Sequence, residues 1–294
     1  MRVNKMDFEG VHTALITPFN QQKIDFSALE KILDKQVKGK VSSIVVCGST
    51  GEGYSLSIEE RLEMFQFCVK HINGRIRVVA SVGTHNTEES VLIAQKAEKL
   101  GIDGMMLVTP YYNKPPQDGM YNHFKKIHDA TTMPIMLYNI PGRSVVDIHD
   151  ETIAKLSRLE RIVALKDATA NLARPYTLRE IHKSKITQLT GDDITSLPFY
   201  AAGGMGLVSV ISNVFPGEFA EIYNLWKHKQ VEQAQALHNK FIPFLVALNI
   251  ETNPISIKYA AHCLGLCSDE MRLPLITLSE DKKAKIKEEL DKLK

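Results

Sequence analysis

The amino-acid sequence predicts a (β/α)8 barrel, the closed α/β fold of eight parallel strands, followed by a C-terminal helical extension. Three features point there. Eight short apolar or β-branched runs recur along 294 residues, and segments with helical apolar spacing lie between them. Strand and helix alternate every roughly 20 to 30 residues, as right-handed βαβ crossovers in a parallel sheet require.

The runs are VHTALIT from Val11, SSIVVCG from Ser42, RVVASV from Arg77, GMMLVTP from Gly104, IMLYN from Ile135, IVALKD from Ile162, ITQLTG from Ile186 and GLVSVI from Gly206. The helical segments include FSALEKILDKQV, SIEERLEMFQFCV, EESVLIAQKAEKL and EFAEIYNLWK. Most open on Ser, Thr, Asp or Asn, whose side chains accept from the free amides of a helix start. Ser57 with Glu60 spells a capping box. Eight such units close a ring of about 250 residues. The eighth run ends near Ile211, so more chain remains than one closing helix needs. From Val231 the segments VEQAQALHNKFIPFLVALNI, PISIKYAAHCLGL and EDKKAKIKEELDKLK read as three helices packed on the barrel. The charge run of the last is a solvated face. The expected division is 1–228 for the barrel, carrying the active site, and 229–294 for the extension. An open doubly wound sheet shares this alternation, but GSTGEG from Gly48 is not GxGxxG and no GxxxxGK[ST] occurs.

Composition removes whole classes of function. Apolar residues make up 44% and charged residues 24%, ordinary globular usage that excludes a disordered chain. Thirty-six Lys plus Arg against thirty-four Asp plus Glu leave a net charge of +2, too balanced for nucleic-acid or membrane binding as the main task. MRVNKMDFEG has no apolar leader core, and no stretch has the length of a membrane span. The expected location is the cytoplasm, with Cys47, Cys68, Cys263 and Cys267 reduced. Cys263 and Cys267 lack a second Cys or His pair, so no metal is assigned.

In a barrel of this kind chemistry sits at the C-terminal ends of the strands. IVALKD ends in Lys166, which alternation places on one face with Ile162 and Ala164. If that face is the interior, burial disfavours the ammonium and leaves an amine able to attack a carbonyl. The bland alternative is a rim lysine with its head in water. IMLYN ends with Tyr138 on the face of Met136, either a barrel-top packing residue or a phenol able to shuttle the protons of imine formation. GSTGE brings Gly48 and Gly51, which let backbone approach a ligand, and the hydroxyls of Ser49 and Thr50; a plain tight turn is the other reading. TPYYN exposes Tyr111 and Tyr112 side by side. Arg143, after Pro141 and Gly142, is either a solvated loop cation or a fork for a substrate carboxylate over the same mouth. In GDD, Asp192 or Asp193 caps a helix beginning at Ile194 more simply than it pairs around a metal.

Together GSTGE, TPYYN, YNIPGR, LKDAT and GDD resemble the pyruvate-dependent class I aldolase family over essentially the whole chain. YNIPGR resembles its branch that condenses pyruvate with L-aspartate 4-semialdehyde, giving 4-hydroxy-tetrahydrodipicolinate in lysine and diaminopimelate biosynthesis. The resemblance implies that Lys166 forms the imine with pyruvate, that Tyr138 exchanges protons with it, and that Ser49 relays protons to Tyr112 of a neighbouring subunit. It further implies that Thr50 and nearby amides hold the pyruvate carboxylate, and that Arg143 holds the semialdehyde's carboxylate. Main-chain carbonyls of Gly191 and Val208 would line the lysine pocket. No cofactor is implied, and a homotetramer built as a dimer of dimers is.

Ser49 stands where that branch usually carries threonine, and GST is common in the N-acetylneuraminate lyase branch. A sugar-acid aldolase and a non-catalytic keto-acid-binding barrel are therefore the alternatives. Lysine-sensitive members use two histidines and an asparagine in a dimer-interface pocket. The matching positions here are Ile58, Arg61 and His85, while Glu89 and Tyr111 remain, which implies weak or absent inhibition by lysine.

Overall fold

The computed structural model describes residues 8–294. Most of the N-terminal segment read as lacking a leader thus lies outside the described residues. Strands β1 (Gly10–Ala14), β2 (Ser43–Val46), β3 (Arg77–Ser81), β4 (Gly104–Val108), β5 (Ile135–Asn139), β6 (Ile162–Asp167), β7 (Thr187–Thr190) and β8 (Gly206–Ser209) form a closed parallel barrel. It closes where β1 pairs with both β8 and β2, His12 lying opposite Val208 and Ser43. A two-stranded ribbon, Phe19–Asn20 with Lys23–Ile24, follows β1.

The outer layer holds α1 (Phe26–Lys38), α2 (Ile58–Ile72), α3 (Thr87–Glu98), α4 (Gln117–Asp129) and α5 (Asp150–Leu156). Next come α6, a turn at Arg174–Tyr176 running into a π-helical turn at Thr177–Ile181, then α7 (Ser196–Ala201) and α8 (Pro216–Lys227). The capping box forms as read: the Glu60 amide donates to Ser57 Oγ and the Ser57 amide to Glu60 Oε2. The extension is helical: α9 (Val231–Leu248), α10 (Ile255–Cys263) and α11 (Glu280–Asp291). Cys263 and Cys267 pack against the main apolar core as free thiols.

Strand alternation divides the core into two layers. Ala14, Val45, Val79, Met106, Met136, Tyr138, Ala164, Leu189 and Val208 fill the barrel interior, and the opposite faces pack under the helices. One expectation fails. The β5–β6 register shifts between Ile135 and Met136, which lie opposite Ile162 and Ala164. This bulge at Val163 turns Ile162 outward into the helix layer, while Ala164 faces in. Lys166 keeps the inward phase because it stands two positions beyond Ala164, past the bulge.

Candidate active site

Two cavities open at the C-terminal end of the barrel, with Tyr138, Ile140 and Arg143 in the wall between them. The first, of about 380 Å3, is lined by Lys166, Thr50, Thr169, Gly191 and Asp193, and by Asn249, Asn253 and Ser256 from the extension. The second, of about 420 Å3, holds Ser49, Tyr54, Arg61, His85, Glu89 and Tyr111.

Lys166 lies opposite Tyr138 in the ladder, and both are buried, at 5% and 4% exposure. The Lys166 Nζ stands 3.8 Å from the centroid of the Tyr138 ring. The amine therefore points into the mouth rather than into bulk water, and a ring face covers one side of it. Gly191 explains the space around it: a Cβ there would lie 2.9 Å from Lys166 Cε and 2.9 Å from Ala168 Cβ. Val208 is fully buried in the barrel interior, in one cluster with Tyr138 and Ala164.

The GSTGEG turn is shaped by its own chain. A Cβ on Gly51 would meet the Leu15 carbonyl at 2.7 Å, and one on Gly53 the Cys47 carbonyl at 2.0 Å. Gly51 thus serves backbone packing against the end of β1. Ser49 and Thr50 divide between the two cavities, with Ser49 beside Tyr138 in the second and Thr50 beside Lys166 in the first. The Thr50 hydroxyl accepts from Asn253 Nδ2 at 3.0 Å.

Arg143 is exposed on a single helical turn, Pro141–Ser144, after β5. Its Nη2 donates to the Asn253 carbonyl at 2.7 Å, which pins the guanidinium over the mouth. The two adjacent tyrosines do not share a surface. Tyr111 turns half-buried into the second cavity against His85, ring centroids 5.3 Å apart, and burial pushes its phenol up. Tyr112 is 90% exposed, has φ +74° in the left-handed region and lines neither cavity. A single chain does not bring Tyr112 to Lys166. The GDD aspartates also depart from the capping expectation. The helix starts at Ser196, and Asp193 instead reaches the end of β8, accepting from Ser209 Oγ and the amides of Val210 and Ile211. Asp192 accepts from the amide and hydroxyl of Thr195.

Sequence reasoning missed the residues that hold this mouth together. Glu52, in the left-handed region at φ +50°, is fully buried and ion-paired with the fully buried Lys258 of α10. Lys258 Nζ also donates to the Glu270 carbonyl at 3.0 Å. Asn253 links Thr50 to Arg143 from the extension. The available signal was a lysine in the otherwise apolar ISIKYAAHC, a residue seldom buried unless paired.

A closed (β/α)8 barrel with a buried strand-end lysine against a tyrosine ring places the protein among barrel enzymes of the class I aldolase type. The sequence profile of the Dihydrodipicolinate synthetase family matches residues 7–293. The chain belongs to that family. It is 44% identical over 283 residues to the 4-hydroxy-tetrahydrodipicolinate synthase of Thermodesulfovibrio yellowstonii, covering 96% of this chain and 97% of that one. The dihydrodipicolinate synthase of Aquifex aeolicus superposes with a TM-score of 0.95 at 39% identity, over 97% of this chain and 98% of its own. A monomeric dihydrodipicolinate synthase variant superposes with a TM-score of 0.94 at 34% identity, over 97% of this chain and 96% of its own.

Proposed function

We propose that this enzyme condenses pyruvate with L-aspartate 4-semialdehyde to give 4-hydroxy-tetrahydrodipicolinate. The carrying observation is the Lys166 amine, buried at a strand end against Tyr138. That nitrogen adds to the pyruvate carbonyl and water leaves. The resulting iminium is an electron sink, so a methyl proton departs and an enamine forms. The enamine carbon attacks the aldehyde, whose oxygen takes up a proton. The amino group of the adduct then attacks the iminium carbon, closes the ring and releases the lysine.

Tyr138 exchanges the protons of these steps, with Ser49 as relay to Tyr112 of a partner subunit. Thr50 binds the pyruvate carboxylate, held in place by Asn253. Arg143, fixed over the mouth, takes the carboxylate of the semialdehyde, and its charge favours that substrate over a polyol chain. Gly191 and Val208 complete the lysine pocket with main-chain carbonyls. The imine itself supplies the electron sink, so no cofactor enters the scheme. The outward tyrosine and the exposed Leu172, Tyr176 and Ile181 support a homotetramer built as a dimer of dimers. We place the enzyme in the cytoplasm, where its free cysteines stay reduced. Among the described residues no helix is long and apolar enough to cross a membrane.

Borohydride reduction with pyruvate, followed by peptide mass analysis, tests the scheme: the adduct is expected on Lys166, and label elsewhere or none overturns it. In Arg143→Ala condensation is lost while the pyruvate imine still forms. Loss of both, or of neither, refutes the assigned division of labour.

A further inference from the structure

Behind the lysine and tyrosine lies a buried ionic cluster that the reaction scheme does not use. Asn139 and Asp167 directly follow Tyr138 and Lys166, pair in the same ladder and are buried on the opposite face. Asn139 Nδ2 donates to Asp167 Oδ1 at 2.9 Å and to Asp147 Oδ1 at 2.6 Å. Arg174, 6% exposed, closes the cluster. Its Nη1 reaches Asp167 Oδ1 at 3.0 Å, its Nη2 reaches Asp147 Oδ2 at 2.8 Å, and its Nε reaches Asp150 Oδ1 at 2.9 Å.

We propose that Arg174 is a positioning residue for the reaction above, on which this inference rests. It holds Asp167 directly and Asn139 through Asp147, and so sets how the Tyr138 phenol and the Lys166 amine meet.

Three observations carry the assignment. A planar fork engaging three carboxylates fixes directions as well as charge, which a lysine in its place cannot do. The cluster ties together the two loops that wall the mouth. Asp147 sits three residues beyond the turn that bears Arg143, and Thr169, which lines the first cavity, donates its hydroxyl to Asp167 Oδ2 at 2.5 Å. The backbone on either side of the reacting pair is fastened as well: the Ala168 amide bonds the Asn139 carbonyl at 2.9 Å, and the Gly191 amide bonds that of Asp167 at 2.7 Å. The cluster thus engages the residue after each reacting group, Asn139 after Tyr138 and Asp167 after Lys166.

The test uses the full chain with Arg174→Gln, Arg174→Lys, Asp147→Asn and Tyr138→Phe, reading the rate of borohydride-trappable imine, kcat, pyruvate KM and Tm. Arg174→Gln is expected to slow trapping and kcat by about 10- to 100-fold with pyruvate KM within about threefold. Arg174→Lys recovers only a minor part. Because Arg174 acts through the phenol–amine pair, adding Arg174→Gln to Tyr138→Phe costs less than about threefold further. Asp147→Asn, at a partly solvated carboxylate, slows trapping by about three- to tenfold and carries the test if Arg174→Gln does not fold. Wild-type trapping rates in a folded Arg174→Gln or Asp147→Asn protein, or fully multiplicative effects with Tyr138→Phe, overturn the proposal while leaving the reaction intact. Absence of any Lys166 adduct in the wild type overturns the reaction scheme instead.

Discussion

Single atoms govern the mouth. Gly191 is the clearest case, since one added methyl would press on both the lysine stem and Ala168. Gly191→Ala is expected to lower kcat/KM for pyruvate by at least about tenfold with little change in Tm, read by steady-state kinetics and thermal melts. Unchanged pyruvate kinetics would show that the lysine has room elsewhere. Asp193 makes a pH prediction. Burial, the main cause, pushes its carboxyl up to about 6 despite the three donors facing it. Between the ordinary carboxylate range and pH 6 the folded chain keeps this proton and the unfolded chain does not. Stability from this group therefore falls as pH rises through that window, by on the order of 2–3 kcal/mol. Relative to wild type, Asp193→Asn should gain stability from pH 4 to pH 7 in denaturant titrations, and a flat difference would contradict the assignment.

At the level of elements, the turn after β2 and the start of α10 behave as one unit because Glu52 and Lys258 are both fully buried. Burial also lowers the Lys258 pKa, in spite of its partner. Lys258→Met removes the ion-pair partner of a fully buried carboxylate and should cost about 3–5 kcal/mol in chemical denaturation. The double variant with Glu52→Gln should recover much of that loss, since removing both charges removes the penalty; a double variant as unstable as the single one would refute the coupling. By contrast, the capping box at Ser57 is local, and Ser57→Ala should cost only about 1 kcal/mol.

At the scale of the whole molecule, the exposed Tyr112 bears on assembly. The superposition with a monomeric variant shows that this fold alone does not decide the oligomeric state. Tyr112 does bear on it, since it is 90% exposed and lines neither cavity of its own barrel. Tyr112→Phe and Lys166→Ala are each expected to be inactive alone, and mixing the two should restore activity if a partner supplies the phenol, because some sites then combine an intact lysine with an intact tyrosine. No recovery on subunit exchange, verified by native mass spectrometry, would mean the phenol is not supplied in trans. The second cavity gathers Ile58, Arg61, His85, Glu89 and Tyr111, with Arg61 buried and bonded to the Ser81 carbonyl. A cation already there opposes an incoming lysine ammonium, so weak or absent inhibition is expected, and sub-millimolar half-inhibition would reject it.

Sequence alone determined what repeats or follows a strand: eight apolar runs, the helices between them, the capping box, and the gathering of Lys166, Tyr138, Thr50 and Arg143 at one cavity. Alternation and caps act over a few residues, so they are written in the local order of the chain. Tertiary structure alone decided that Ile162 turns outward, that Tyr111 and Tyr112 part company, that Asp193 crosses to β8, and that Glu52, Asn253, Lys258 and Arg174 brace the site. Each of these depends on partners from seven to more than two hundred residues away, brought near by closing the ring and folding the extension onto it. No local period encodes such a distance.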